Sequence, residues 1–371
     1  MLHGGGRVLE DMRILAADDA LRRLLGGETP PSSDATGNWL RRMGTSYGVH
    51  GLGQVRDALN ARIMRREERR DYTLDADATA IEAWKRDAAM TYKEFRGYMP
   101  MLGFLAENEV CIYEEFREGN ESPNSRQLEF YTQCVASMPK GRRIARYRAD
   151  SAHYQARLIN RLDEDNVTWA IAAPMNEAIV DAVKNIRSYE WRRPPEYKGS
   201  EYAWCPHAMN ATKKGFMLSV KRTLIRQPDL YRETGPFRYH VVATNIDACT
   251  YEPWEAHEWY NERSRAENLI KEVKSGFGME YMPCGESAAN AVWFRIGVLA
   301  YNLFVGFKRL CCPEEWHHHT VATFRWRLFS IAGYVVYHAR QLRLRLKTAA
   351  DIFTTVLTIQ DRIAAMRMCP G

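Results

Sequence analysis

Residues 253–277 read PWEAHEWYNERSRAENLIKEVKSGF. Pro at the start and Lys-Ser-Gly at the end predict one strong helix with a marked stop. Tyr260, Arg263, Glu267 and Lys274 fall in it at i, i+3, i+7 and i+14. At ~100° per residue, the last three lie about 60°, 20° and 40° to one side of the first. The four side chains therefore share one narrow polar stripe. A solvated salt-bridge ladder would make the same stripe. The neighbours carry abundant other charge, however, so a ladder would not need this register.

Working outward, YTLDADATAIE from Tyr72 reads as a strand. Asp75 and Asp77, two apart, point to one face of it. Acids on an otherwise apolar strand are costly if buried without a partner. A divalent cation would relieve that cost, because hard cations take oxygen ligands. RRIARYRAD is a second strand and ends at Asp150. Taken alone, a strand-end Asp is an ordinary turn starter or helix cap. Between them, GYMPMLGFLAENEVCIYEEFREGN reads as two strands joined at Glu107–Asn108. SRQLEFYTQCVASM reads as an amphipathic helix with Leu128, Tyr131, Cys134 and Val135 on one face. HYQARLINRLDEDN is a helix, and VTWAIAA and FRYHVVATN are buried strands. This order predicts a mixed α/β sheet with functional residues at strand ends. Asp77 and Asp150 are 73 residues apart, and Asp150 and Glu267 are 117 apart. The second gap is too long for one helix and a strand pair. The aromatic, basic, Pro- and Gly-containing stretch at 186–235 accounts for it as a β-rich insertion of short strands.

The flanks read differently. Leu9, Met12, Leu15, Leu21, Leu24 and Leu25 recur at helical spacing. PPSSDATGNWLRR carries helix-start signals, and RIMRREERR closes the region with five arginines. Clustered arginine on short helices suits DNA phosphates, and equally a charged face on a structural helix. Residues 290–371 read as mostly helical, with a basic run at Arg340, Arg343, Arg345 and Lys347. AVWFRIGVLAYNLFVGF (291–307), with Arg295 and Asn302 inside it, is short for a membrane span and reads as a buried helix. The start, MLHGGGRVLEDMR, shows no basic stretch followed by an apolar run, so no secretion signal is expected. His317–His319 reads as an exposed turn, since adjacent side chains diverge. Arg117 and Asn120 of FREGN read as loop-forming.

The 371 residues suit two or three modules, and 46% hydrophobic residues suffice for a packed core. Lys plus Arg is 52 against 46 acids, a net +6 that permits a polyanionic partner without demanding one. The eight cysteines form no CxxC pair, which argues for free thiols in a reducing cytoplasm and against structural zinc.

Y-x2-R-x3-E-x6-K is the pattern around the last acid of many bacterial insertion-sequence transposases with the DDE triad. YNERSRAENLIKEVK matches it at every fixed position. LHGGGRVLEDMR, LDADAT, YKEFRGYMPMLGF, FREGN, RADSAHY and AENLIKEVKSGFGMEYMPCGESAANAVWFRIGVLAYNLF extend the resemblance over most of the chain. Together they resemble the insertion-sequence family numbered thirteen-eighty, of the transposase DDE group 1. The resemblance implies an α/β, RNase H-like mixed-sheet core with a β-rich insertion and helical N- and C-terminal regions. The implied division is a helical region at 1–68 suited to DNA, core at 69–185, insertion at 186–235, core with the catalytic helix at 236–310, and a helical region at 311–371. The family's D-x-T context points to Asp77-Ala78-Thr79, with Asp75 as the alternative or a supporting residue. Asp150 and Glu267 complete the triad. After the second Asp-Ser the family has Gly and an aromatic, where this chain has Ala152 and His153.

The implied chemistry is cleavage at transposon ends and transfer of 3′-hydroxyls into target DNA. Two Mg²⁺ ions, replaceable by Mn²⁺, would be held by Asp77, Asp150 and Glu267. Tyr260, Arg263 and Lys274 would contact DNA. Trp191 or Trp204 could stack on a displaced base, or serve the core. The implied partners are terminal inverted repeats, target DNA and a second copy of the chain, with no membrane. The implied location is the bacterial cytoplasm, at the nucleoid. The alternative is an inactive or domesticated relative that only binds DNA.

Overall fold

A computed structural model describes residues 1–24, 26–225, 236–339 and 341–368. Leu25, residues 226–235 of the expected insertion, Arg340 and Cys369 lie outside the described residues. The chain opens with helices α1 (Met12–Ala17), α2 (Asp19–Leu24), α3 (Ser33–Gly44) and α4 (Gly48–Met64). The Ser32 side chain accepts from the Ala35 amide and caps α3. The strands β1 (Asp71–Ala78), β2 (Ile81–Glu82), β3 (Ala89–Met90), β4 (Arg96–Tyr98), β5 (Met101–Leu105) and β6 (Cys111–Glu115) follow. Next come α5 (Gln127–Ala136), β7 (Arg143–Ala149), α6 (Ala156–Glu164), β8 (Thr168–Ala172) and α7 (Glu177–Lys184). Then β9 (Ser200–His207), β10 (Phe216–Leu224) and β11 (Phe237–Thr244) lead into α8 (Pro253–Asn261) and α9 (Ser264–Lys271). Helices α10 (Ser287–Cys311) and α11 (Val321–Phe324), the hairpin β12 (Ala332–His338) and β13 (Gln341–Lys347), and α12 (Ala350–Met368) close the chain.

Eight strands form one mixed sheet in the order β6-β5-β1-β7-β8-β11-β10-β9. β1, β7 and β8 run parallel, and the strands on both flanks are antiparallel. Strand alternation divides the core. Tyr72, Leu74 and Ala76 of β1 face α5 and α6, where Phe130, Tyr131, Leu158 and Ile159 are buried. On the other face, Leu102 and Phe104 of β5 pack with Ala266 and Ile270 of α9 and with α10. In α5 the buried row holds Phe130, whereas Val135 is 36% exposed, so the expected apolar face is rotated.

Three expectations change. The 186–235 strands are not short: β9 and β10 span eight and nine residues and extend the main sheet through β11. The region after 311 is not mainly helical before α12. Leu342, Leu344 and Leu346 alternate with Arg343, Arg345 and Lys347, a period of two, and that makes a strand. The 253–277 run is not one continuous helix, for a reason given below.

α10 is the one described helix long and apolar enough to cross a membrane, but 61% of its apolar window is buried inside the molecule. Its central Asn302 accepts from the Cys111 amide (3.0 Å) and donates to the Cys111 carbonyl (2.8 Å). A polar residue in mid-helix thereby closes the open edge of β6. The described cysteines are all free thiols.

Candidate active site

Thr73, Asp75 and Asp77 share the face of β1 that looks toward α8 and α9. The parallel register pairs Asp75 with Arg148 and Ala76 with Ala149. Asp77 and Asp150 are the next residues on adjacent strands. Glu267 comes from α9, which packs across β1 and β5. Arg263 joins the set: one guanidinium nitrogen donates to Asp77 Oδ2 (2.9 Å) and the other to Glu267 Oε1 (3.0 Å). Asp77 is 15% exposed and Glu267 60%. Burial pushes the Asp77 carboxyl up to about 6; Arg263 opposes this, while the like charges of Asp150 and Glu267 add to it. Burial also raises Asp150, whose Oδ1 accepts from the Ala152 amide (3.1 Å). Burial works most strongly against the Arg263 charge, yet Asp77 and Tyr260 together hold the guanidinium above its usual range. Both groups thus shift upward, and Asp77 holds the titrating proton because a guanidinium stays charged at any working pH.

Asp75 is placed differently. Arg148 donates to both its oxygens, at 2.7 and 2.9 Å, and each side chain is 2% exposed or less. Burial raises the Asp75 carboxyl, and the two-pronged Arg148 contact pulls it back. With both oxygens satisfied, Asp75 has little left to offer a ligand.

Arg148 also explains the broken helix. Its Nη1 donates to the Trp259 carbonyl and to Glu262, both at 2.8 Å. In a continuous α-helix the Trp259 carbonyl would accept from the Arg263 amide. That amide instead bonds the Tyr260 carbonyl (3.0 Å), and α8 ends there. The 100° register therefore does not run through the whole motif. Arg263 and Glu267 still meet as an i, i+4 pair. Beyond α9, residues Glu272–Gly276 form a π turn. Lys274, inside it, is half-buried and donates to the Ala80 carbonyl (2.7 Å), bracing the turn after β1. Tyr260 is 7% exposed and packs on Ala170 and Val242, with its ring 5.7 Å from His240. It lies within the wall behind Arg263.

Sequence reading missed Arg148, although Arg146, Arg148 and Asp150 share one strand face, and that spacing is visible. It also missed the chain in which Ser219 donates to the Pro253 carbonyl, beside His257 (2.9 Å), itself 2.7 Å from His240. His153 is fully buried, 2.5 Å from the Tyr147 hydroxyl, and burial drops it to about 3. Arg117 is buried, pairs with Glu115 (2.7 Å) and donates to the Ser125 carbonyl (2.9 Å), fixing its loop. The Trp191 ring lies 4.0 Å from the Arg222 guanidinium, and Trp204 donates to the Tyr251 carbonyl (3.0 Å). His317–His319 lies in a turn.

Among the described residues, no three His, Cys, Asp or Glu side chains are grouped closely enough to hold a metal ion. The donor chemistry at the strand ends nonetheless suits a hard divalent cation. The three carboxylates supply only oxygen, and Asp77 is raised first by burial and then by the like charges of Asp150 and Glu267 against the pull of Arg263. Arg263 is the cation that now faces them.

No curated protein matches the chain. Among solved structures, it is similar to one described as a cryo-EM structure of a piggyBac transposase synaptic complex with hairpin DNA. The identity is 11% and the TM-score 0.46, over 78% of this chain and 54% of that one. The chain thus spans about half the length of that relative. The model of the family described as transposase DDE domain group 1 matches residues 1–368, and the chain belongs to that family.

Proposed function

We propose that the protein cuts DNA at transposon ends and joins the released 3′-hydroxyls to target DNA, with Asp77, Asp150 and Glu267 as its acids. The observation that carries this reading is the meeting of two adjacent strand ends and one helix around Arg263. The strand order β6-β5-β1-β7-β8 supports an RNase H-like core, with β9–β11 as the inserted extension. The thirteen-eighty branch fits the same motifs.

Asp77, Asp150 and Glu267 would hold Mg²⁺, or Mn²⁺ in its place. Bound there, divalent ions supply Lewis-acid stabilisation of the phosphoryl oxygens and a lowered pKa for the attacking hydroxyl. The residues divide the remaining work. Asp77 and Asp150, on the rigid sheet, would fix where the ions meet the scissile phosphate. Glu267, largely exposed on α9, closes the set. Arg263 exchanges its carboxylates for a DNA phosphate as the substrate enters. Lys274 holds the turn after β1, and Tyr260 backs Arg263. Two ends must be cut and joined together, so the working form is a homodimer on the DNA in the cytoplasm.

One observation favours the reading of a relative that binds DNA without cutting: Arg263 already occupies an oxygen of both Asp77 and Glu267. Duplexes carrying the inverted repeats that flank the gene separate the two. The transposase reading expects Mg²⁺- or Mn²⁺-dependent cleavage that Asp150→Asn abolishes while leaving binding intact. Binding without cleavage in either metal supports the alternative. Cutting retained by Asp150→Asn removes the assignment.

A further inference from the structure

Between Glu315 and Asp351 the chain has no acidic residue, yet it carries Arg325, Arg327, Arg340, Arg343, Arg345 and Lys347. The β12–β13 ribbon sorts part of this charge. The cross-strand pairs Ala332↔Lys347, Tyr334↔Arg345 and Val336↔Arg343 put three cations on one face. The pairs Gly333↔Leu346, Val335↔Leu344 and Tyr337↔Leu342 put the leucines on the other. An isolated two-stranded ribbon is marginal in water and needs an apolar support. Here Val335, Leu344 and Leu346 line a groove with Leu21, Val356 and Ile359. The leucine face is covered only in part: Val335 and Leu346 are half-buried, while Leu342 and Leu344 stay 38% and 50% exposed. The cationic face is left outward.

Arg343, Arg345 and Lys347 are exposed. Arg343 donates to the Gln341 side chain (3.0 Å) and Arg345 lies 3.5 Å from the Tyr334 hydroxyl. Among the described residues, none of the three cations has a carboxylate partner. Other exposed arginines do: Arg143 pairs with Asp71 and Arg192 with Glu252, both at 2.8 Å. The simpler reading of a charged ribbon is protection of a sheet edge. Edge protection works with charge of either sign. It does not call for a row of one sign, which repels itself. Successive cations on one strand face stand ~7 Å apart, two nucleotides' rise along one strand of B-DNA. A two-stranded ribbon also fits the width of a major groove. The module is joined to the catalytic helix run, because the Val321 amide at the start of α11 donates to Glu272 Oε1 (2.6 Å).

We propose that the β12–β13 ribbon is a second DNA-docking surface, on which Arg343, Arg345 and Lys347 contact the phosphates of duplex DNA outside the cleavage site. This rests on the reading of the protein as one that acts on DNA. The contact is to backbone and carries no base sequence. It holds the duplex while the strand-end acids work.

The test is equilibrium binding of the full chain to two duplexes, one with the flanking inverted repeats and one unrelated, across a salt series. The variants are Arg343→Gln/Arg345→Gln/Lys347→Gln and, as a charge-keeping control, Arg343→Lys/Arg345→Lys. Losing three phosphate contacts makes the slope of log affinity against log salt shallower by about 2.7, at ~0.9 per phosphate. The wild type's advantage over the triple variant then shrinks about 40-fold between roughly 50 and 200 mM salt, equally on both duplexes. The lysine control keeps the wild-type slope. An unchanged slope in the triple variant overturns the proposal, as does a lysine control that loses as much as the glutamines. A loss confined to the inverted-repeat duplex overturns the assignment to phosphates. A change of oligomeric state in sedimentation with an unchanged salt slope makes the ribbon a contact between copies, and also overturns it. If the wild type binds neither duplex, it is the proposed function that fails. Wild-type binding matched by the triple variant removes only the ribbon.

Discussion

Asp75 and Asp77 stand two residues apart on one face of β1, and each meets an arginine. The Arg148 that meets Asp75 comes from the neighbouring strand, in register, and fills both carboxylate oxygens. The Arg263 that meets Asp77 comes from the turn between two helices and divides itself between Asp77 and Glu267. The inner pair is closed by the sheet itself. The outer pair is held by a helix junction and sits among other acids that want positive charge. A buried pair with both partners satisfied is structural. A buried acid with a shared, replaceable partner is poised for a ligand. The two are linked, because Arg148 takes the Trp259 carbonyl, breaks the helix and sets where Arg263 and Glu267 begin. The inner rung builds the outer one.

That contrast can be broken by substitution. The largest effect is expected at the outer rung: Asp77→Asn lowers DNA cleavage by about a thousandfold or more, equivalent to about 4 kcal/mol of barrier, in a strand-nicking assay. Its stability at neutral pH, measured by urea unfolding, stays level or rises, since a desolvated charge beside Asp150 is gone. Asp75→Asn reverses the pattern in stability. It strips Arg148 of its buried counter-ion and costs about 3–5 kcal/mol in the same unfolding experiment. Equal destabilisation by the two substitutions would erase the distinction.

A third effect is pH dependence in the presence of a chelator. The folded Asp77 carboxyl titrates near 6, above its unfolded value near 3.8. Between those values the folded chain keeps a proton that the unfolded chain has released. Stability therefore falls as pH rises through that window, by up to about 3 kcal/mol, and levels off above it. The fall should shrink in Asp77→Asn, the remainder coming from Asp75 and Asp150, which burial also raises; an unchanged fall there would assign it to other groups. The smallest effect is at Lys274. Lys274→Met removes the bond to the Ala80 carbonyl and costs about 1 kcal/mol, read as a small shift in the thermal midpoint.

Much of this was legible in the sequence. The β1, β7 and β8 strands announced themselves through alternation and short apolar runs, while the three proposed acids came from the family resemblance, with Asp75 left as the alternative to Asp77. What escaped had physical causes. The 253–277 run has helix-forming residues throughout, and only a long-range donor, Arg148, interrupts it. Local propensity carries no information about a partner more than a hundred residues away. The β12–β13 hairpin was hidden because its basic residues were read as a run and not as alternate positions. The closed state of Asp75 required the register of β1 on β7, which spacing alone does not supply.

We propose that position 77 holds a metal ion and position 75 does not. The most direct measurement compares cleavage of the inverted-repeat duplex by Asp77→Cys and Asp75→Cys in Mg²⁺ and in Mn²⁺. A thiolate is a poor ligand for Mg²⁺ and a better one for the softer Mn²⁺. Asp77→Cys is expected to be inactive in Mg²⁺ and to recover selectively in Mn²⁺, while Asp75→Cys shows no such metal preference. Full Mg²⁺ activity in Asp77→Cys, or selective Mn²⁺ rescue at position 75 instead, would contradict it.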